Sequence, residues 1–399
     1  MSMLTVPATH RPRAAGRATA GRVPLRLAVT GGGTGGHVYP ALAVIEAGLS
    51  AGRQADVLWI GWREGLERSL VERAGLAFVG IEAGRLRGAG WRAGLRHTWR
   101  LARGFGQARG LLARFRPHVV LATGGFVTFP VALAARWLRV PVLVYLPDIE
   151  PGLAVRLMAP LAAKVAVTAE PAQGHFRRGK AVVTGFPVRT SLAAGRPSRE
   201  QARARFGIPA DERVVLIFGG SQGAHSLNAA VGHALEELLA EAHVLHIHGR
   251  WDREWLRARR QELPAGVRER YHLFDYLHEE MAHALVAADV VVARAGASTL
   301  GEFPAVGLPA ILVPYPHSGA HQWANARYLA SHGAAVIVPD DEIRDALLPR
   351  VRHLLHDQAR LTAMRRAMRA LARPGAALAI YELLEALAAD KAVNRTRSA

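Results

Sequence analysis

The sequence predicts an α/β protein made of two doubly wound, Rossmann-like parallel sheets. Three features carry that prediction. Short, nearly continuous apolar runs rich in valine recur along the chain, and strands buried on both faces of a parallel sheet read this way. The spacers between them are long enough for the crossover helices that parallel strands require. Two glycine-rich turns, far apart in the chain, each follow the first strand of one half. Together these features give a strand, turn, helix plan that is laid down twice.

Taken in order, residues 1–22 carry Arg11, Arg13, Arg17 and Arg22 without an apolar stretch. They read as a disordered basic tail and not as a signal peptide. The first domain, 23–188, holds the expected strands "LRLAVTG", "ADVLWIG", "AFVGIEA", "HVVLATGG", "VPVLVYL", "KVAVTA" and "AVVTG". A stretch rich in proline, glycine and charge follows, and the linker is placed at 189–212. The second domain, 213–372, holds "RVVLIFGGS", "HVLHIHG", "YHLFDYL", "DVVVARAG", "PAILVPYP" and "AAVIVPD". The last segment, 373–399, is expected to form a helix that could pack back on the first domain, with "DKAVNRTRSA" frayed. No apolar run approaches the roughly 20 residues needed to span a bilayer. The 399 residues include no cysteine, which rules out disulfides, a thiolate metal site and a thiol nucleophile.

The glycine turns are "GGGTGGH" at 31–37 and "GGSQGA" at 219–224. A strand that feeds a glycine turn and then a helix aims several backbone N–H groups at one spot. The partial positive charge of the helix N-terminus adds to them, and the result suits an anion. Glycine allows positive φ and close approach of a ligand. A tight turn with no ligand is the plain alternative. Neither turn has the Lys-Ser/Thr of a nucleoside-triphosphate loop, and neither keeps the G-x-G-x-x-G dinucleotide pattern with its later acidic residue. Kinase, ATPase and dehydrogenase chemistry are therefore disfavoured.

A third stretch, 294–329, ends a strand in a small-residue turn with Ser298 and Thr299, followed by Glu302. A carboxylate there can accept hydrogen bonds from two adjacent hydroxyls, as on a ribose. It can equally be a first-turn charge that favours the helix dipole. His317, His321, Gln322 and Asn325 come next, at the end of the following strand. The H-x3-H spacing fits one helix face, but no carboxylate completes a metal site, so no metal and no cofactor are expected.

Formal net charge is +19. That suits an anionic partner, or an arginine-rich surface that faces water. Eleven arginines and no acidic residue occur from Ala83 to Pro147. In 84–118 they are interleaved with Trp91, Leu95, Trp99, Leu101, Phe105, Leu111, Leu112 and Phe115. A basic helix of this composition can lie in a bilayer interface, with Arg92, Arg96, Trp99, Arg100 and Arg103 at the membrane surface. A core helix with a solvated arginine face and an RNA-binding surface are the competing readings.

The motifs "GGGTGGHVYPALAV", "GFPVR", "GGSQGAHSLN" and "RAGASTLGEFPAVGLPAILVPYP…HQWANA", in this order, resemble glycosyltransferase family 28. The resemblance is to its membrane-associated N-acetylglucosaminyltransferases of peptidoglycan synthesis, and it runs from about residue 24 to the last helix. It implies a GT-B fold, two Rossmann-like domains facing across a cleft. It further implies transfer of GlcNAc from UDP-GlcNAc to the undecaprenyl-diphosphate-linked muramoyl-peptide, converting lipid I to lipid II, at the cytoplasmic face of the cell membrane. The donor would lie mainly on the second domain. Ser221, with Gln222 and Gly223, would meet its diphosphate, and Arg189 would lie near it at the domain junction. Ala297, Ser298, Thr299 and Leu300 would hold uridine, and Glu302 the ribose. His278 aligns loosely near the uracil. Gln322 would face the donor sugar, with His321 and Asn325 nearby. Thr34, Gly35 and Gly36, grouped with the donor-binding residues, would form the first-domain side of the cleft, where the acceptor diphosphate arrives. His37 would be the general base. Asp148 departs from the family pattern, because many members carry asparagine there on the donor sugar. Aspartate accepts hydrogen bonds but cannot donate like an amide.

Three readings stand at this point: the lipid-acceptor transferase, another GT-B enzyme such as a UDP-sugar epimerase or glycolipid glycosyltransferase, and a nucleic-acid-binding protein. The last leaves both glycine turns unexplained.

Overall fold

The computed structural model describes residues 24–33, 35–65, 67–83, 91–193, 195–220, 223–317 and 320–396. The tail expected over 1–22 lies outside them. The chain forms two compact units. One runs up to Arg189 and takes in the segment from Pro374 onward, and the other is Thr190–Arg373.

The first unit holds a seven-stranded sheet in the order β3-β2-β1-β4-β5-β6-β7. Its strands are β1 (Leu25–Thr30), β2 (Ala55–Trp62), β3 (Ala77–Ile81), β4 (Val119–Ala122), β5 (Val142–Leu146), β6 (Lys164–Val167) and β7 (Ala181–Val183). All pairs are parallel. Leu27 sits opposite Val57 on one side and Val119 on the other, and all three are buried. The valine-rich runs become central strands because both of their faces are covered by helices. The order reverses between β1 and β4, which is the switch point beyond which open α/β sheets bind ligands.

Five helices matter for that site: α1 (Gly35–Ser50), α2 (Glu67–Arg73), α3 (Trp91–Phe115), α4 (Thr128–Trp137) and α5 (Leu153–Met158). The last helix, Ala376–Thr396, packs on α1 with Ile380, Tyr381 and Leu384 buried. A Cβ at Gly48 would fall 2.3 Å from the Tyr381 ring, so glycine there is what lets the two helices approach. The helix continues to Thr396, past the point where fraying was expected. Lys391 donates to the Pro117 carbonyl at 3.2 Å, and Arg53 pairs with Glu385 at 3.8 Å.

The Tyr381 hydroxyl is buried without a hydrogen-bond partner among the described residues. Tyr381→Ala is expected to cost about 3–5 kcal/mol, as for other large-to-small changes of aromatic core residues. Tyr381→Phe should match or exceed the parent, because it removes an unsatisfied buried group. Thermal unfolding of the two variants checks this, and equal losses in both would mean that the hydroxyl is satisfied.

The second unit holds a six-stranded parallel sheet in the order β10-β9-β8-β11-β12-β13. Its strands are β8 (Val214–Phe218), β9 (His243–Ile247), β10 (Tyr271–Phe274), β11 (Val290–Ala293), β12 (Ala310–Leu312) and β13 (Ala335–Ile337). The switch point lies between β8 and β11. Part of the expected linker is helical, Thr190–Ala193 and Arg199–Ala204, and belongs to this unit. Ser198 and Gln201 close a capping box on the second of these helices. The segment is anchored because the carboxylate of Asp289 binds Arg199, Arg203 (2.9 Å) and Arg365 (2.9 Å).

Candidate active site

In the first unit the turn after β1 is held from three sides. The Gly32 N–H donates to the Gly124 carbonyl at 3.2 Å, and the Trp59 indole donates to the Gly31 carbonyl at 3.1 Å. Thr123 Oγ1 donates to the His37 carbonyl at 2.7 Å. The third side is Glu67, which is 1 % exposed. Its Oε1 accepts from the Trp62 N–H at 2.8 Å and its Oε2 from the Gly33 N–H at 3.2 Å. Gly33 has φ +87° and Gly124 has φ +114°, conformations that glycine adopts without steric cost.

His37 is half-buried at the start of α1. Its Nδ1 lies 3.1 Å from the Gly32 carbonyl oxygen. A carbonyl only accepts, so Nδ1 carries the hydrogen and Nε2 is the basic nitrogen. A Cβ at Gly124 would fall 2.8 Å from Cδ2 and Nε2 of the ring, so the second glycine turn gives the imidazole its space. Burial lowers the imidazole pKa from its usual value. The Asp148 carboxylate, the Gly32 hydrogen bond and the Glu67 carboxylate act in the opposite sense without reversing it. The ring is thus set up as a neutral base near pH 7.

Asp148 follows β5, whose end is pinned to β6. The Tyr145 hydroxyl lies 2.9 Å from Thr168 Oγ1, which donates to the Pro147 carbonyl at 2.8 Å. Arg189 places its guanidinium 5.0 Å from the Tyr39 ring centroid, within the first unit.

In the second unit the turns after β8 and β11 flank the switch point. Gly220 (φ +88°) and Gly223 (φ +81°) turn the chain into the helix His225–His233. A Cβ at Gly223 would meet the His248 carbonyl at 2.4 Å. Arg294, at the end of β11, is buried and joins the two turns. It donates to Asp340 at 2.5 Å and to Ser226 Oγ at 2.8 Å, and it lies under Tyr315 with 5.3 Å to the ring centroid. After it comes a 3-10 turn, Ala297–Leu300, and then Glu302 at the start of the helix Glu302–Val306.

Behind the β8 turn lies a buried polar chain. Tyr271 OH is 2.8 Å from His246 Nδ1, and His246 Nε2 is 3.0 Å from Asn228 Oδ1. Asn228 Nδ2 donates to Asp252 at 2.7 Å, and Asp252 holds the exposed His225 at 2.7 Å. Burial pushes the His246 pKa down to about 3, so its neutral ring works as a structural hydrogen-bonding group.

Family models place these two regions. Glycosyltransferase family 28 N-terminal domain matches residues 27–167, and Glycosyltransferase family 28 C-terminal domain matches residues 214–379. The chain belongs to glycosyltransferase family 28. A relative from Roseiflexus sp. is 41% identical over 92% of this chain and 96% of its own. It is named UDP-N-acetylglucosamine--N-acetylmuramyl-(pentapeptide) pyrophosphoryl-undecaprenol N-acetylglucosamine transferase. The protein of the same name from Bacillus subtilis is 34% identical over 91% of this chain and 99% of its own. The solved structure of Acinetobacter baumannii MurG superposes with a TM-score of 0.69 at 28% identity, covering 91% of this chain and 99% of that one. A Neisseria meningitidis UDP-GlcNAc 2-epimerase superposes at 0.63 with 14% identity over 90% of this chain and 99% of its own, a likeness of fold alone. The two doubly wound units are therefore the GT-B pair of a family 28 enzyme.

The residues predicted for the family 28 site distribute as follows. In the first unit His37, Gly35, Gly36 and Asp148 collect at the β1 end, and Arg189 sits against α1 through Tyr39. Thr34 lies outside the described residues, as do Ser221 and Gln222. In the second unit Ala297 and Ser298 are half-exposed. Thr299 and Leu300 are buried, and the Thr299 hydroxyl is used on the Gly296 carbonyl at 2.8 Å. The threonine side chain thus shapes the turn. Asn325 is fully buried and donates to the Ala295 carbonyl at 3.0 Å, so it too holds the turn. Gln322 is half-exposed and accepts from the Tyr315 N–H at 2.8 Å. His321 begins the helix His321–Ser331, and His278 is exposed beside Tyr276.

Sequence reasoning missed Glu67, the Thr123–Gly125 turn and Arg294. The tandem glycine in "LATGG" and an arginine inside the apolar run "DVVVARAG" were readable signals for two of them. Nothing in "REGLERSL" marks Glu67.

Proposed function

We propose that this chain transfers GlcNAc from UDP-GlcNAc to the undecaprenyl-diphosphate-linked muramoyl-peptide, the lipid I to lipid II step of peptidoglycan synthesis. The observation that carries the reading is the His37 ring, set at a glycine turn with Nδ1 committed to Gly32 and Nε2 basic. It is supported by relatives that carry this name over more than nine-tenths of the chain. The second unit holds the donor, with the β8 turn at the diphosphate and Glu302 on the ribose. The acceptor hydroxyl attacks the anomeric carbon in line with departing UDP, which inverts configuration. His37 takes the hydroxyl proton. Backbone N–H groups at the helix start stabilise charge on the leaving diphosphate. UDP release from UDP-GlcNAc, measured with and without a lipid-diphosphate acceptor, is the test. Release that depends on acceptor supports the reading, and acceptor-independent turnover supports an epimerase.

Work on a lipid-linked acceptor requires the membrane surface. No helix among the described residues is long and apolar enough to cross a membrane. A peripheral enzyme at the cytoplasmic face fits, with the first unit against anionic lipid. On that unit Trp99 (61 %) and Trp137 (69 %) are exposed on α3 and α4, together with Leu133 and, on α5, Leu153. The α3 and α4 helices pack through Phe105 and Trp137. Arg100 is exposed, while Arg103 stacks on Trp99 at 4.6 Å and pairs with Glu82 at 3.4 Å. The side chains of Arg92 and Arg96 lie outside the described residues. Replacing Arg92, Arg96, Arg100 and Arg103 with glutamine is expected to weaken binding to anionic vesicles, at about 1 kcal/mol per basic residue near the surface, and less for the paired Arg103. Turnover of a short-chain soluble acceptor should hardly change. A co-sedimentation assay in which parent and variant bind equally would assign the stretch to a solvated face.

A further inference from the structure

The Gly32–Gly33 peptide joins two side chains that never meet directly. Its carbonyl oxygen, on Gly32, accepts the hydrogen of His37 Nδ1 at 3.1 Å. Its N–H, on Gly33, donates to Glu67 Oε2 at 3.2 Å. The sequence of contacts is therefore imidazole, peptide, carboxylate. From this geometry we infer that Glu67 is a positioning residue that fixes the Nδ1–H tautomer and ring orientation of His37 through the Gly32–Gly33 peptide. The inference rests on the proposed role of His37 as the base.

Three observations support it. First, the carboxylate is 1 % exposed, and glutamate is almost never this buried unless something binds it. Second, the surrounding backbone is cut to fit it. A Cβ at Gly32 would fall 2.3 Å from Oε1 and one at Gly65 2.1 Å from Oε2. Two glycines thus make room for one carboxylate, more than an ordinary first-turn charge on α2 needs. Third, the polarity is right. A carboxylate that draws on the Gly33 N–H polarises the same peptide and makes the Gly32 oxygen a stronger acceptor, since hydrogen-bonded groups in series reinforce one another in a low-dielectric interior. A stronger acceptor at Nδ1 holds the hydrogen there and makes Nε2 more basic. Carboxylates that touch a histidine directly act in the same way on metal-ligating rings. Here one peptide plane stands between them.

Among the described residues, two carboxylates act on the ring. Asp148 faces it from the end of β5 and favours its charged form, as Glu67 does from α2. The Gly124 turn brings no charge, and Arg189 stacks on Tyr39 farther along α1.

Glu67→Gln is the informative change. Both of its partners are N–H donors, so a glutamine must turn its own NH₂ toward one of them. Keeping the 2.8 Å bond from Trp62 sacrifices the one from Gly33. The primary readout is nitrogen NMR of the His37 side chain, assigned by difference against His37→Gln. The parent is expected to show the Nδ1–H tautomer, and Glu67→Gln a mixture of both. In the acceptor assay kcat should fall about 10- to 100-fold, as when the carboxylate behind a metal-ligating histidine is lost. The KM for UDP-GlcNAc should hold. The acidic limb of the pH–rate profile should move to lower pH, because a negative charge that favours the imidazolium is gone. A merely structural role would lower kcat and stability without moving tautomer or limb. Glu67→Asp retains the carboxylate and should restore the tautomer in part, and it provides the comparison if the glutamine variant does not fold. An Nε2–H tautomer in the parent, or an unchanged tautomer and limb in folded Glu67→Gln, overturns the inference. If His37→Ala retains kcat, the base assignment fails instead, and the NMR result still decides the link between Glu67 and His37.

Discussion

Replacing His37 with alanine lowers kcat by about 10²–10⁴-fold, the usual contribution of a positioned general base. Donor KM is expected to change little, because the donor is proposed to lie mainly on the second unit. The parent rate falls on the acidic side as the ring takes up a proton. Burial sets that limb below the ordinary histidine pKa of about 6.5. In His37→Ala the limb disappears, since no imidazole is left to titrate. His37→Gln is the control for shape. It can restore a hydrogen bond to the Gly32 carbonyl but cannot accept a proton, so it should be as slow as alanine. If kcat survives in both variants and only acceptor KM rises, His37 binds the acceptor diphosphate. The base must then be sought among the neighbouring carboxylates, with Asp148 first.

Glu302→Ala raises the KM for UDP-GlcNAc by about ten- to a hundredfold. Hydrogen bonds to a charged group are worth about 1.5–3 kcal/mol, and the ribose offers two hydroxyls to one carboxylate. Glu302 is 6 % exposed and opens a short helix directly after the 3-10 turn. Asn325 and Thr299 brace that turn by bonding to Ala295 and Gly296. The loss should therefore be one of affinity, with the turn intact. Calorimetric titration with UDP alone should show the same deficit, which separates ribose from sugar contacts. Full UDP affinity with a lowered unfolding temperature would return Glu302 to a helix-terminus charge.

The braces on that turn show where reading the sequence stops. Asn325 and Thr299 lie within the motif that suggested a nucleotide site, and the fold also has both side chains bond the backbone of the turn. Whether a polar side chain faces a ligand or its own backbone depends on a few tens of degrees of turn geometry, and no local pattern encodes that. Arg294 is the converse case. Its position in an apolar run announced that it was unusual, but its partners, Ser226 and Asp340, are 68 and 46 residues away.

By itself the sequence determined the two sheets, the positions of the thirteen strands, the two glycine turns and the family. These are recorded locally, in two-faced apolar runs, in glycine where φ is positive, and in the spacing of motifs. Only the tertiary structure decided what stands behind His37. Glu67 reaches the β1 turn from α2, through Gly33, and the Gly124 turn arrives from β4 to make room for the ring. Both bring together segments 34 and 87 residues apart in the chain. A buried carboxylate is tolerated because backbone N–H groups surround it, and which backbone surrounds it is settled by packing, after the local pattern has done its part.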